Sequence, residues 1–205
     1  MMFDDVAVYE PSKISGSIRK KMRQDGERVR TSDATLAKLV QKVYCTSFDS
    51  RIGRIYVAST ESGLCKISVP KESRKDFFTW LKEHFDLDAV TDNRARNKDV
   101  IDQLSRYFNG KLAKFNVPLD LMGTPFQIRV WKELSRIPYG ATITYKNLAK
   151  RVIAPKAFQA VGRANGANPV PIIVPCHRVL GSNGASSENA GIATSKRRPP
   201  AVTIS

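Results

Sequence analysis

The residues best equipped for chemistry stand together in the stretch Pro175-Cys176-His177-Arg178. A cysteine attacks as its thiolate, and a nearby imidazole is the usual means of taking the proton. Adjacent side chains of an extended segment point to opposite faces, so a Cys–His pairing here needs a turn or an intervening water. Prolines at 169, 171 and 175 stiffen the approach by fixing φ and withholding backbone donors. On residue type alone, Cys176 reads equally as a reactive thiol or as a small buried hydrophobe. Cys45 and Cys65 lie in strand-like runs and read as packing residues, and His84 closes an amphipathic helix as a surface or capping group. The two histidines and three cysteines show neither C-x-x-C nor H-x-x-x-H spacing, so no metal site is expected. Three widely spaced cysteines also argue against a disulfide framework, and an intracellular location is expected, nuclear if the source is a eukaryote.

These groups must be carried by an ordinary core. From Val43 the chain offers three short β-type runs, 43–48, 53–58 and 63–69, punctuated by Gly and Ser as in an antiparallel meander. Helical spacing follows over Lys75–His84 and Asp99–Phe108, the latter ended by Asn109-Gly110. Trp80 and the neighbouring Phe residues are expected in the core. Residues 111–122 read as a connection. Phe126, Val130, Trp131, Leu134 and Ile137 then fall on one helical face, and Pro138-Tyr139-Gly140 breaks it. Thr144 can cap a helix carrying Tyr145, Leu148, Ala149 and Val152, and after Pro155 the same spacing recurs at Ala157, Ala160, Val161 and Ala164. Two short helices joined by a tight turn predict a helix-turn-helix. The expected fold is α+β. A basic, flexible extension (1–40) precedes an N-terminal antiparallel-sheet domain (41–118) and a helical C-terminal domain (119–205) that holds the helix-turn-helix and the cysteine loop.

The charge is unevenly spread. The chain carries a net +15, yet residues 123–205 hold twelve Lys and Arg against Glu133 and Glu188 alone. So basic a segment suggests a polyanionic partner. No basic amphipathic helix with a broad apolar face favours anionic lipid, and no apolar run is long enough to span a bilayer. The basic cluster Arg19, Lys20, Lys21 and Arg23 suits nuclear targeting or a grazing contact with nucleic acid, or a merely solvated tail.

The order and spacing of four blocks resemble the O6-alkylguanine-DNA alkyltransferases, also called methylated-DNA–protein-cysteine methyltransferases. The blocks are GTPFQIRVWKEL, IPYGATITYKNLA, QAVGRANGANPVPIIVPCHRV and GSNGASSENAGIATSK, within residues 123–196. The resemblance implies that Cys176 accepts the alkyl group and that His177 deprotonates it through a bound water. It implies that Asn168 orders the thiol loop and that Tyr145 hydrogen-bonds N3 of a flipped guanine. The carbonyls of Cys176 and Val179 would accept from the guanine amine, and a loop at Ser187–Gly191, including Ala190, would close on O6. Gln159, Arg163, Lys156 and Arg178 are the further DNA-contacting candidates. The implied reaction is irreversible transfer from O6-alkylguanine in double-stranded DNA to Cys176, with O4-alkylthymine as a further candidate substrate. It is performed once per polypeptide by a monomer and requires no cofactor.

Two positions depart from the family. Gln159 stands where an Arg usually fills the gap left by the flipped base, and Gln lacks the guanidinium stack and charge. After Lys196 the chain reads Arg197-Arg-Pro-Pro, where the family continues into a helix bearing an acid that orients the histidine. The closing loop also carries Glu188 and Asn189 where the family often has Gly and Tyr. These departures motivate a competing reading: a protein that binds alkylguanine lesions with little or no transfer. A thiol hydrolase would need a second polar group on His177, and a helix-turn-helix regulator gives no reason for Pro-Cys-His-Arg.

Overall fold

The computed structural model describes residues 41–153 and 157–181. Lys156, the 187–191 loop with Ala190, the 1–40 extension and the Pro-rich end lie outside them.

Strands β1 (Val43–Ser50), β2 (Gly53–Ser59) and β3 (Leu64–Ile67) form the expected meander, with β1–β2 and β2–β3 antiparallel. Helix α1 (Arg74–His84) starts at Ser73, whose hydroxyl accepts from the Asp76 amide while Asp76 reaches back, a capping box. It buries Phe77 and Leu81. The crossover through α1 delivers a fourth strand, β4 (Val90–Asp92), alongside β1 in parallel, giving the order β3-β2-β1-β4. The sheet is therefore mixed. Three residues are too few to show a period in the sequence, and parallel pairing needs just such a crossover. Helix α2 (Lys98–Phe108) follows, burying Val100, Ile101 and Leu104.

The connection at 111–122 lies against the sheet. Leu64 N–H donates to Pro118 O at 2.9 Å, and Asp120 N–H donates to Leu64 O at 2.9 Å. Gly63 allows this approach: its φ is +149°, and a Cβ there would lie 2.6 Å from the Pro118 oxygen. Helix α3 (Pro125–Ser135) opens with Pro at its first turn and a Thr124–Gln127 capping box. Its Trp131 is buried, and the indole N–H donates to Ala164 O at 2.7 Å. Strand β5 (Ile143–Thr144), helix α4 (Tyr145–Arg151) and helix α5 (Phe158–Gly166) complete the helix-turn-helix, with the Thr144 hydroxyl capping α4 by accepting from Asn147 N–H. A 3-10 turn (Cys176–Arg178) leads into β6 (Val179–Leu180), which pairs in parallel with β5.

The larger apolar core unites Phe48, Ile55, Val57, Leu64 and Ile67 of the sheet with Val130, Trp131, Leu134, Val161 and Val179 of the helical part. A smaller cluster under α1 holds Val43, Cys45, Cys65 and Phe77. Cys45 and Cys65 are buried there, the Cys65 thiol donating to Ala58 O at 3.2 Å, which suits packing and not reaction. Trp80 is only partly buried and stacks on His84 with ring centroids 3.9 Å apart.

Candidate active site

A two-residue ladder brings the chemical groups together. Pairing of Ile143 with Val179 and Thr144 with Leu180 sets the start of α4, and hence Tyr145, beside the turn that begins at Cys176. That turn is the local answer to the geometric problem of adjacent Cys and His: the segment is not extended at Cys176–Arg178. No direct hydrogen bond joins the Cys176 thiol to the His177 ring among the described residues.

Cys176 is 7% exposed. Burial pushes its thiol above the usual value, while the Asn168 side-chain amide and the backbone N–H groups of His177 and Cys176 pull it back down. The thiol is therefore protonated at rest, in a setting whose donors all favour the thiolate. His177 is held at about 4, first by burial and then by the Arg178 charge, so its imidazole is neutral at ordinary pH, with one ring nitrogen unprotonated. Its Nδ1 is buried with no hydrogen-bond partner among the described residues.

Asn168 organises the loop before the cysteine. Its Nδ2 donates to Val174 O at 2.8 Å and its Oδ1 accepts from Val170 N–H at 3.0 Å. Between those anchors Ile172, buried and β-branched, sits at φ 78°, a left-handed conformation that costs such a residue about 1–3 kcal/mol. The turn is closed by Val174 N–H to Val170 O at 3.0 Å and is tied to the sheet by Ile67 N–H to Pro169 O at 2.9 Å.

The other candidates divide. Gln159 and Arg163 are exposed on α5. Gln159 and Tyr145 line one open groove of about 660 Å³ with Thr144, Lys146, Phe158, Gly162 and Gly181. The Arg178 guanidinium turns the other way, donating to Ile137 O at 2.8 Å and lying 5.5 Å from the Tyr139 ring. The Cys176 carbonyl already accepts from Val179 N–H and, at 3.4 Å, from Asn165. Exposed Lys146, Lys150, Arg151 and Arg163 give the helix-turn-helix a basic face. The one carboxylate of residues 123–181, Glu133, pairs instead with Arg136 on α3. No group of three or more His, Cys, Asp or Glu side chains fit to hold a metal occurs among the described residues.

Two groups here are not evident from motif reading. Phe158 stands 49% exposed beside Gln159, an apolar ring at the mouth of the groove. Asn165 is 3% exposed and links Tyr145 to Cys176. A signal for it did exist: Val161, Ala164 and Asn165 are spaced i, i+3, i+4, so a polar residue sits on the buried face of α5.

These features belong to a helix-turn-helix protein with a basic face, whose groove is lined by Tyr145, a residue joined through Asn165 to the backbone of a buried cysteine. Residues 43–121 match the ribonuclease-like domain of 6-O-methylguanine DNA methyltransferase, and residues 125–199 match the DNA-binding domain of the same family. The methylated-DNA–protein-cysteine methyltransferase of Mycobacterium bovis is 41% identical over 155 residues, 76% of this chain and 88% of that protein. The constitutive methylated-DNA–protein-cysteine methyltransferase of Bacillus subtilis is 39% identical over 156 residues, 74% of this chain and 88% of that protein. Among solved structures, Mycobacterium tuberculosis OGT in complex with DNA matches with a TM-score of 0.61 at 39% identity, over 72% of this chain and 84% of that chain. The chain belongs to the 6-O-methylguanine DNA methyltransferase family.

Proposed function

We propose that this protein repairs DNA by moving an alkyl group from O6-alkylguanine onto its own Cys176, once per molecule. The observation that carries the reading is the link from a buried cysteine, its thiol surrounded by donors to the thiolate, through Asn165 to Tyr145 in the groove of a basic helix-turn-helix. The 41–118 part serves as scaffold, and the 119–205 part binds double-stranded DNA and accepts the alkyl group.

An alkyl carbon inside a duplex is out of reach of a buried thiol, so the nucleotide must swing out into the protein. His177, neutral at rest, takes the thiol proton through a water. The Cys176 sulfur then forms its bond to the alkyl carbon as the carbon–O6 bond breaks, and the electron pair stays on the purine. Donation from the Tyr145 hydroxyl to N3 stabilises that charge as it develops, where a hydrogen bond accelerates the reaction most. The Cys176 carbonyl, which already accepts from Val179 N–H and Asn165, and the Val179 carbonyl accept from the guanine amine. Gln159 and Arg163 on α5 meet the DNA, Gln159 facing the gap that the base leaves. The product is a thioether at Cys176. O4-alkylthymine is a secondary substrate in this reading, and the protein acts as a monomer inside the cell, in the nucleus where there is one.

The unpartnered His177 Nδ1 and the neutral Gln159 favour a second reading, lesion binding without transfer. Incubation with duplex DNA carrying radiolabelled O6-methylguanine separates the two. Label on the protein that disappears in Cys176→Ser supports transfer. DNA retained without label on the protein supports lesion binding, and neither outcome sinks both.

A further inference from the structure

Asn165 lies on the buried face of α5 and reaches in two directions. Its Nδ2 is 3.2 Å from the Tyr145 hydroxyl and 3.4 Å from the Cys176 carbonyl, groups that are twenty residues before it and eleven after it in the chain. A carbonyl is an acceptor only, so the amide nitrogen and not its oxygen must face Cys176. The same nitrogen then donates to the phenol oxygen, which therefore accepts from Asn165. The phenol proton points elsewhere, and no acceptor for it occurs among the described residues. Tyr145 lines the groove beside Gln159 and Gly162, so that free donor is available to an incoming base. The buried Oδ1 of Asn165 has no partner among the described residues, an arrangement that costs stability and calls for a compensating role.

We propose that Asn165 is a positioning residue for base selection, orienting the Tyr145 phenol as a hydrogen-bond donor toward a purine ring nitrogen at a set distance from the thiol. The inference rests on the alkyl-transfer reading and names the chemistry that selects the substrate: an alkylated purine with a lone pair at N3. Without Asn165 the phenol rotates freely, and its donor is shared between the base and water.

The test compares transfer from duplexes carrying O6-methylguanine or its 3-deaza analogue, which keeps the alkyl group and loses the N3 acceptor. The wild-type protein should prefer the natural base about tenfold, the scale of one hydrogen bond. Asn165→Leu should reduce that preference to about twofold or less, as should Tyr145→Phe, and the double substitution should reduce it no further. Asn165→Asp, which keeps the volume, accepts the phenol proton itself and should lose the preference too; it decides the matter if the Leu variant does not fold. Modification of Cys176 by iodoacetamide should change by less than about twofold in Asn165→Leu, which brings no charge near the thiol, and should slow in Asn165→Asp, whose carboxylate disfavours the thiolate. A merely structural role would slow transfer from both bases equally and leave the ratio intact. An intact ratio in the Asn165 variants, or a wild-type ratio near one, overturns the inference while leaving alkyl transfer standing. Absence of any transfer by the wild-type protein overturns the functional reading itself and this inference with it.

Discussion

Replacing Asn168 with Ala tests how the acceptor loop is held. In the folded protein its amide nitrogen donates to Val174 O at 2.8 Å, and its oxygen accepts from Val170 N–H at 3.0 Å. Val174 O keeps a second donor, Cys176 N–H at 2.8 Å, so losing Asn168 removes one of its two bonds. Val170 is fully buried and its N–H is left with no replacement. An orphaned buried N–H costs about 1–3 kcal/mol and a lost second bond about 1 kcal/mol, so Ala should destabilise by about 2–4 kcal/mol. That is a large share of the roughly 5–15 kcal/mol that holds a domain together. The loop has little to compensate with, since Pro169, Pro171 and Pro175 have no N–H to offer and Ile172 is strained. The thiol loses one of the donors that favour its thiolate, so alkylation should slow as well. Urea unfolding, with the slope compared between proteins, gives the stability change, and single-turnover transfer at a temperature where both are folded gives the rate. A loss below about 1 kcal/mol, at unchanged slope and with normal transfer, would refute the argument that this side chain holds the loop.

Other expectations follow from the same site. Burial and Arg178 hold His177 at about 4, against an unfolded value of about 6.5. Between these values the unfolded chain binds the extra proton, so stability falls as pH drops through the window, by about 2 kcal/mol from pH 7 to pH 5. His177→Gln should lose that part of the slope, as urea midpoints at the two pH values will show; equal slopes would contradict the burial of a neutral imidazole. Gln159→Arg should speed repair of duplex DNA about three- to tenfold by adding a stacking cation at the gap, and an unchanged or slower rate would defeat that role for the position. Duplex affinity should fall steeply with salt, with a log–log slope of about −3 to −4 if Lys146, Lys150, Arg151 and Arg163 each meet a phosphate. A slope near zero in a filter-binding or anisotropy titration would contradict a basic DNA-binding face.

Much of the architecture is legible in the sequence because local rules and tertiary packing agree. Thr124-Pro125 with Gln127 announces α3, and the spacing of Val130, Trp131 and Leu134 names its buried face. Thr144 announces α4 in the same way. Strand β4 escapes, because three residues show no period and its pairing depends on a crossover and not on its own composition. Within the site, the block order singles out Cys176, Asn168 and Tyr145, but not the β5–β6 pairing that sets the Cys176–Arg178 turn beside the start of α4. Asn165 goes unread because its partners lie far away in the chain, even though its place on an apolar helix face marks it as unusual. Arg178 shows the converse: basic character suggests a DNA contact, and packing commits its guanidinium to Ile137 and Tyr139.

The central claim is that Cys176 is itself the final acceptor. It is tested most directly by titrating the protein with an excess of duplex DNA containing labelled O6-methylguanine and locating the label by peptide mass spectrometry. Transfer should stop at one methyl group per polypeptide, all of it on the Cys176 peptide as a thioether. Continued turnover, or label on any other residue, would contradict it.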